Sequence, residues 1–469
     1  MIATSAVGSL RSVFRGELLT PGDEGYDAAR AVFNAAIDRR PGLIARCADA
    51  SDVAHAVRFA VDERLVVSVR GTGHNIAGFA VCDEGLVIDL SRMRAIAVDP
   101  DARTVRAEGG CNWAEVNDAL QPYGLAATGG FVSVTGVAGL TLGGGLGWLV
   151  RKHGLALDNL LSADVVLADG RVVTANARDN DDLFWAIRGG GGNFGVVTSF
   201  TFAAHPVGTV LAGIVLHPAD KAAAALRRWR DLEAGAPDES TQGALLFHFP
   251  DDASAPAPLR GAALVGLGGV YAGPIEEGEQ AVRALRDYGP PLADLFQPMP
   301  YNAAQRMADF LWPSGLEGYW KSTYLTGLSD GAIDVIVEFF TQVPSPRTVV
   351  VIEHNGDSAW DRVPESATAF GHRSWPYNFV VTSAWSDPAE RERNVAWTRR
   401  FLDAMRPFAA SGAYVNYLGG DEGSEGLRAA YGAKLERLAL LKAKFDPTNL
   451  FRMNQNIEPA SFGGVGAAR

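Results

Sequence analysis

Two dense glycine clusters constrain this chain more than any other feature. Residues 109–154 hold 12 glycines, including Gly143-Gly144-Gly145, and a second cluster spans Gly189–Gly192 with Gly195 close behind. Glycine reaches positive φ at little cost and leaves the main chain bare, so another group can approach the backbone closely. Successive N–H groups in such loops form anion-binding nests. Two nests in one stretch point to a long ligand carrying a diphosphate, against the alternative of tight hairpin turns alone. The excess holds for the whole chain: 53 of 469 residues are glycine, or about 11% against a usual ~7%.

Neither common phosphate-binding fingerprint accounts for the clusters. Gly190-Gly191-Gly192-Asn193-Phe194-Gly195 has the spacing G-x-G-x-x-G, but that motif needs a strand before it and a helix after it. Here DDLFWAIRG reads as a helix before it and VVTSFTF as a strand after it. No G-K-[ST] closes either cluster, which excludes a P-loop. There is no G-x-S-x-G elbow and no H-E-x-x-H, and the eight histidines lie too far apart for a local metal cluster, so no metal site is expected.

Composition removes further classes. The formal net charge of −12 argues against a basic nucleic-acid-binding face. No run of 18 apolar residues occurs, so no membrane helix is expected, and the first 19 residues lack the pattern of a secretory signal. Cys47, Cys82 and Cys111 are too few and too scattered for a disulfide framework or a zinc site. The expectation is a cytoplasmic monomer or homodimer with reduced thiols and neither nucleic-acid nor membrane partners.

Periodicity gives the organisation. Val53, Ala56, Val57, Ala60 and Val61 recur at helical spacing after Ser51 or Asp52 as N-cap. Residues 66–70 and 85–90 read as strands, 96–110 as a hairpin turning at Pro100-Asp101, and 160–176 as a hairpin turning at Asp169-Gly170. From about 206, strands such as LAGIVLH and GALLFHF alternate with longer helices. The predicted class is α+β: residues 1–205 as one unit, 206–445 as an antiparallel sheet backed by helices, and 446–469 returning to the first. Residues 424–447 read as one helix stopped at Asp446-Pro447.

One loop adds a nucleophile. In VRGTGHN a strand delivers Arg70, then a glycine turn, then His74 and Asn75. An imidazole held rigidly beside a flavin can form a covalent link; otherwise His74 is a polar loop residue.

Three ordered runs carry a resemblance: VRGTGHNIAGFAVCDEGLVIDLSRM, GLAATGGFVSVTGVAGLTLGGGLGWLVRKHGLALDNL and DDLFWAIRGGGGNFGVVTSF. They resemble the FAD-binding domain of the vanillyl-alcohol oxidase/p-cresol methylhydroxylase superfamily. YVNYL (414–418) and FDPTNLFRMNQNI (445–457) narrow this to its berberine-bridge-enzyme-like branch, nearest the bacterial enzymes related to 6-hydroxynicotine oxidase and antibiotic-tailoring oxidases. The resemblance implies a two-subdomain FAD-binding domain of the p-cresol methylhydroxylase type plus a substrate domain. It implies FAD linked through His74, with Arg70, Gly71, Thr72, Gly73 and Asn75 in the first diphosphate loop. Val134, Thr135, Gly136, Gly139, Gly143, Gly144 and Gly145 match the second loop. Gly192, Asn193, Gly195 and Val197 match a backbone clamp, and Asn454 and Asn456 match contacts from the tail. Many plant members carry a second link through a cysteine; Val132 stands at that position here, so the expectation is a single link through His74 and no cysteinyl link.

A flavin brings its own redox chemistry and the protein supplies orientation and a base. Tyr417 is the first candidate and Tyr414 the second. Read as a strand, YVNY puts 414 and 416 on one face and 415 and 417 on the other, so one tyrosine at most faces the flavin. A phenol of pKa ≈ 10 needs help to act as a base. Glu353, delivered by the apolar run before it, is the alternative, and His354 on the opposite face is read as structural. Trp312, Tyr324 and Tyr377 are candidate walls for a flat aromatic substrate. Thr135, small and near the flavin edge by resemblance, would admit O2. The leading expectation is an FAD-dependent oxidase taking a hydride from an alcohol or amine carbon of an aromatic or secondary-metabolite-like substrate, with O2 reoxidation giving hydrogen peroxide. An oxygenating or dearomatising tailoring enzyme, a carbohydrate oxidase and a non-catalytic flavin protein are the alternatives.

Overall fold

In a computed structural model, which describes residues 2–253 and 255–461, the chain forms three main sheets. The first has four strands. Leu43–Arg46 and Val67–Arg70 flank Leu86–Asp89 in parallel, and Glu17–Leu19 adds an antiparallel edge. Parallel strands need a covered crossover, and the helix Ala50–Asp62 supplies it. Its N-cap is Asp49, whose side chain accepts from the Asp52 N–H, and not Ser51 or Asp52. Asp52 is instead buried and accepts main-chain N–H groups of Arg15, Gly16 and Ala48.

The second sheet has five antiparallel strands and contains both expected hairpins, Ile96–Asp99 with Thr104–Glu108 and Leu160–Val166 with Val172–Asn176. Val196–Ala203 runs down its middle and so fixes the second glycine cluster beside the sheet.

The third sheet is the large antiparallel one, built from strands between Thr209 and Trp385. Alternation gives it two unlike faces. Val215, Leu246, Val350, Ile352 and Phe379 pack under the helices Ala222–Glu233, Asp330–Thr341 and Arg391–Met405. The intervening residues look toward the first two sheets. Burying this helix face accounts for the strong amphipathic pattern of the second half of the sequence.

The C-terminal region departs from expectation twice. The stretch 424–447 is two helices, Gly423–Tyr431 and Leu435–Phe445, parted at Gly432, whose φ of 51° ends the first. The return to the first unit also begins earlier than 446. Val415, Leu418, Tyr431 and Leu438 all lie in the core formed with Trp113, Phe194 and Phe200. Lys442 and Asp446, both fully buried, pair at 2.7 Å, and Lys442 also donates to the Asn193 and Phe451 carbonyls. No helix among the described residues is long and apolar enough to cross a membrane.

Candidate active site

Two cavities of about 240 and 170 Å³ lie along the glycine loops, the larger between them and the large sheet. Both are lined by Gly71, Asn75, Gly139 and Asn416, so together they form one elongated slot. The larger end meets the sheet and the smaller end runs between the second glycine cluster and the tail.

The histidine loop is held from outside the slot. The Arg70 guanidinium is buried, donates to the Ala29 carbonyl and packs against Gly73. Arg70 is therefore a brace for the loop and does not line either cavity. Phe33 donates its N–H to the Gly73 carbonyl (3.0 Å) and stacks on the His74 ring at 4.1 Å. Burial pushes the His74 pKa down to about 4, so at neutral pH the ring is an uncharged nucleophile. Its Nε2 is buried without a hydrogen-bond partner.

The first glycine cluster enters the short helix Val137–Gly143 through Gly136. A Cβ on Gly136 would sit 2.6 Å from Thr72 Oγ1, so the two loops touch and only glycine fits between them. A Cβ on Gly139 or Gly192 would meet nothing within 4 Å; these two positions open straight into the slot. Unpartnered buried oxygens on Thr72, Asn454 and Asn456 accompany them. Bare backbone along an elongated cavity, with idle polar atoms beside it, fits a dinucleotide with a diphosphate in its middle.

Most of the expected residues come together here. Gly71, Thr72, Gly73, His74, Asn75, Thr135, Gly136 and Gly139 line the larger cavity, and Gly143, Gly192, Asn193, Gly195, Val197 and Asn454 the smaller. Besides Arg70, four do not line either. Val134 points to solvent, because the turn before Gly136 faces outward. Gly144 and Gly145 face away: a Cβ on Gly144 would strike Tyr414, and one on Gly145 would lie 2.3 Å from Ala156 Cβ. They let the chain turn, Gly145 at φ 100°. Asn456 lines neither cavity. Cys47, Cys82 and Cys111 are all buried elsewhere, and burial raises each thiol pKa.

On the sheet side Glu353 occupies the cavity face of Val349–His354, a central strand between Ser240–His248 and Tyr377–Trp385. Its carboxyl accepts from Tyr417 Oη at 2.9 Å and from Asn378 Nδ2 at 2.7 Å. Burial drives its pKa up to about 7 against the pull of these two hydrogen bonds. Burial, then the neighbouring carboxyl, pushes Tyr417 well above its ordinary value. Of the pair, Glu353 is therefore the group that changes charge near neutrality.

The YVNY segment is a 3₁₀ turn, Val415–Tyr417, and not a strand. Three residues per turn bring 414 and 417 to the same side, and their rings meet edge-to-face at 4.9 Å. Tyr414 is wholly buried and its Oη accepts from the Gly145 N–H and from Asn416 Nδ2, both at 2.9 Å. It pins the glycine turn and is not presented to the cavity.

The aromatic candidates divide. Trp312 lines the cavity and donates to Thr382 Oγ1. Tyr324 is buried beside Phe370 and Tyr414 without lining it. Tyr377 is on the helix face, against His354 at 4.7 Å and Trp229. Phe131, Trp148, Trp320, Thr241, Val380 and Asn378 went unpredicted; five of them line the cavity, while Asn378 stands behind Glu353. Trp320 and Asn378 are found by the two-residue alternation once the strand neighbours are known. Phe131 and Trp148 had only their closeness to the glycine run to mark them. His354 is structural: it meets Glu233 at 3.2 Å and Arg151 at 3.3 Å on the far face. No cluster of three or more His, Cys, Asp or Glu suited to a metal exists among the described residues.

Comparison with known proteins places these features in a family. The family described as FAD binding domain matches residues 41–176, and the one described as berberine and berberine like matches residues 413–458. The FAD-linked oxidoreductase pgmH of Aspergillus terreus is 31% identical over 97% of this chain and 96% of its own length. The (R)-6-hydroxynicotine oxidase of Paenarthrobacter nicotinovorans is 30% identical over 95% and 97%. The crystal structure of 6-hydroxy-D-nicotine oxidase from Arthrobacter nicotinovorans superimposes with a TM-score of 0.87 at 28% identity, covering 98% of this chain and all of that one.

Proposed function

The chain belongs to the berberine-bridge-enzyme-like FAD-linked oxidoreductases, and on that premise we propose that it is an oxidase of a small, largely apolar alcohol or amine. FAD supplies the two-electron acceptor when bound, and its reoxidation by O2 would release hydrogen peroxide. The observation that carries the proposal is the hydrogen-bonded Glu353–Tyr417 pair, which lines the same cavity as His74.

His74, neutral and braced by Phe33, is the residue proposed to hold the cofactor covalently. With Val132 at the position of the plant cysteine and none of the three cysteines lining the slot, a single link is the reading supported. Gly71–Asn75, Thr135–Gly139 and Gly192–Val197 would hold the dinucleotide along the slot, with Asn454 from the tail. Residues 1–205 and the tail from about 413 are thus assigned to the cofactor, and the large sheet to the substrate.

Proton transfer falls to the pair. A substrate O–H or N–H gives its proton to Tyr417 Oη, and Tyr417 passes its own to Glu353 Oε1. The phenol stays neutral overall, which its raised pKa requires, and the charge that disappears is the carboxylate's. Asn378 holds Oε2 and fixes the orientation of the carboxyl. Phe131, Trp148, Trp312 and Trp320 exclude water around it. Thr135, with its small side chain on the cavity wall, leaves room for O2.

Acid precipitation of the purified protein tests the link: yellow colour is expected in the pellet, and free flavin in the supernatant refutes it. Peroxide formed in equal amount to product supports an oxidase. Incorporation of label from ¹⁸O2 into product would instead establish an oxygenating enzyme.

A further inference from the structure

Four residues on the wall of the larger cavity carry a buried polar atom without a hydrogen-bond partner among the described residues: Thr72 Oγ1, His74 Nε2, Thr241 Oγ1 and Gln242 Oε1. The first two belong to the loop proposed to hold the cofactor. The other two stand on the strand Ser240–His248 of the large sheet. Gln242 is drawn to Ser240 by an Nε2–Oγ hydrogen bond of 2.9 Å. Thr241 has no such tie, although the residue is only 2% exposed. A buried hydroxyl left unmet costs about 1–3 kcal/mol, so such groups are met by water or by a ligand.

The strand register says what stands beside it. Gly243 lies opposite Glu353 in an antiparallel pair. Continued by two residues, that register sets Thr241 opposite Asn355, on the same face as Glu353. Asn355 is buried and lines the same cavity. Its N–H donates to the Pro376 carbonyl and its own carbonyl accepts from Ser358 Oγ, while its side-chain amide is tied to nothing among the described residues. A strand rises about 3.4 Å per residue, so this rung lies about 7 Å from that of Glu353. The rung on the other side of Glu353 is Leu245, Val351 and Val380, all apolar.

We propose that Thr241 and Asn355 hold a second hydroxyl of the substrate, about 7 Å from the hydroxyl or amine that meets Glu353 and Tyr417. This rests on the oxidoreductase reading above and deepens it: the substrate class becomes a diol or amino alcohol with its two polar groups at opposite ends of an apolar frame. A hydroxyl suits the pair because it donates and accepts at once, as do a threonine hydroxyl and an asparagine amide. An anionic group does not, since no lysine or arginine lines the cavity and His74 is uncharged at neutral pH. Gly243, beside Glu353, adds no side chain to the wall and leaves the sheet bare for the frame to lie against.

Calorimetry on the flavin-loaded protein, with the flavin reduced and O2 excluded so that no hydride can be taken, compares 1,4-benzenedimethanol with 4-methylbenzyl alcohol. The two share one frame and differ in the second hydroxyl. The diol is expected to bind at least about fivefold tighter. Thr241→Val, which replaces the hydroxyl with a methyl, should bring the two within about twofold, the statistical advantage of a symmetric diol, and leave the binding of 4-methylbenzyl alcohol unchanged. Thr241→Ser should keep the preference and Asn355→Leu should lower it. Equal binding by the wild type, a preference that survives Thr241→Val, weakening of both probes alike in that variant, or no binding of either at millimolar concentration overturns the proposal. Visible absorption of the same samples before reduction shows whether flavin is held, and so tests the oxidoreductase reading separately.

Discussion

Removing one hydroxyl should move the charge of the active-site carboxyl by a predictable amount. In Tyr417→Phe the carboxyl loses the donor at 2.9 Å on Oε1 and keeps Asn378 on Oε2. A hydrogen bond to a charged group contributes about 1.5–3 kcal/mol, and one pKa unit corresponds to about 1.4 kcal/mol. The Tyr417 hydrogen bond lowers the Glu353 pKa, which stands at about 7. Its loss therefore raises that pKa, by roughly one to two units on these figures. The protonated carboxyl C=O band in infrared pH titrations, with Glu353→Gln as baseline, measures this without any substrate. The band should fade around pH 7 in the wild type and persist to higher pH in the variant. The acid limb of kcat/KM should move the same way, since the ionised form is the base. An unchanged midpoint, a downward shift, or no protonated band in the wild type at pH 5 would refute the reasoning.

Other changes separate cofactor holding from folding. His74→Ala should leave all flavin in the supernatant after acid precipitation, while circular dichroism of the protein stays unchanged. Gly139→Val, whose side chain enters open space in the slot, should lower flavin content with little effect on the melting temperature of the flavin-free protein. Gly145→Ala should do the opposite, costing ~1–3 kcal/mol of stability in denaturant titrations through its positive φ and its clash with Ala156. Arg151→Met removes the buried guanidinium that donates to the Gly356 and Ala236 carbonyls, with an expected loss of about 1–3 kcal/mol in denaturant titrations.

The loops proposed to hold the cofactor stand out in the sequence because glycine density is a local signal. Gly139 and Gly192 leave the backbone bare along the slot and His74 follows a glycine turn, whereas the Phe33 ring that braces His74 comes from a distant part of the chain. The substrate side was legible only in part. Glu353 stood out because an apolar strand led to it, whereas Asn378 gains its meaning from a strand neighbour 25 residues away, a pairing no single-strand pattern encodes. Tyr414 and Tyr417 were assigned to opposite faces because alternation was applied to what folds as a 3₁₀ turn, where the period is three. Arg70 looked like a phosphate ligand, and its burial beside Ala29, set by residues forty positions earlier, makes it a brace.

The two faces of the large sheet have a consequence for how such an enzyme can change. Thr241, Leu245, Val351, Val380 and Trp320 meet the cavity, while Leu246, Val350, Ile352 and Phe379 meet the helices, and the two sets alternate along the same strands. Replacing a residue of the first set reshapes what can be bound without opening a void among the helices, so ligand preference and fold maintenance are subject to separate selection. Drift at every second position can thus carry one scaffold from one substrate to another, while the other positions and the glycine slot stay fixed.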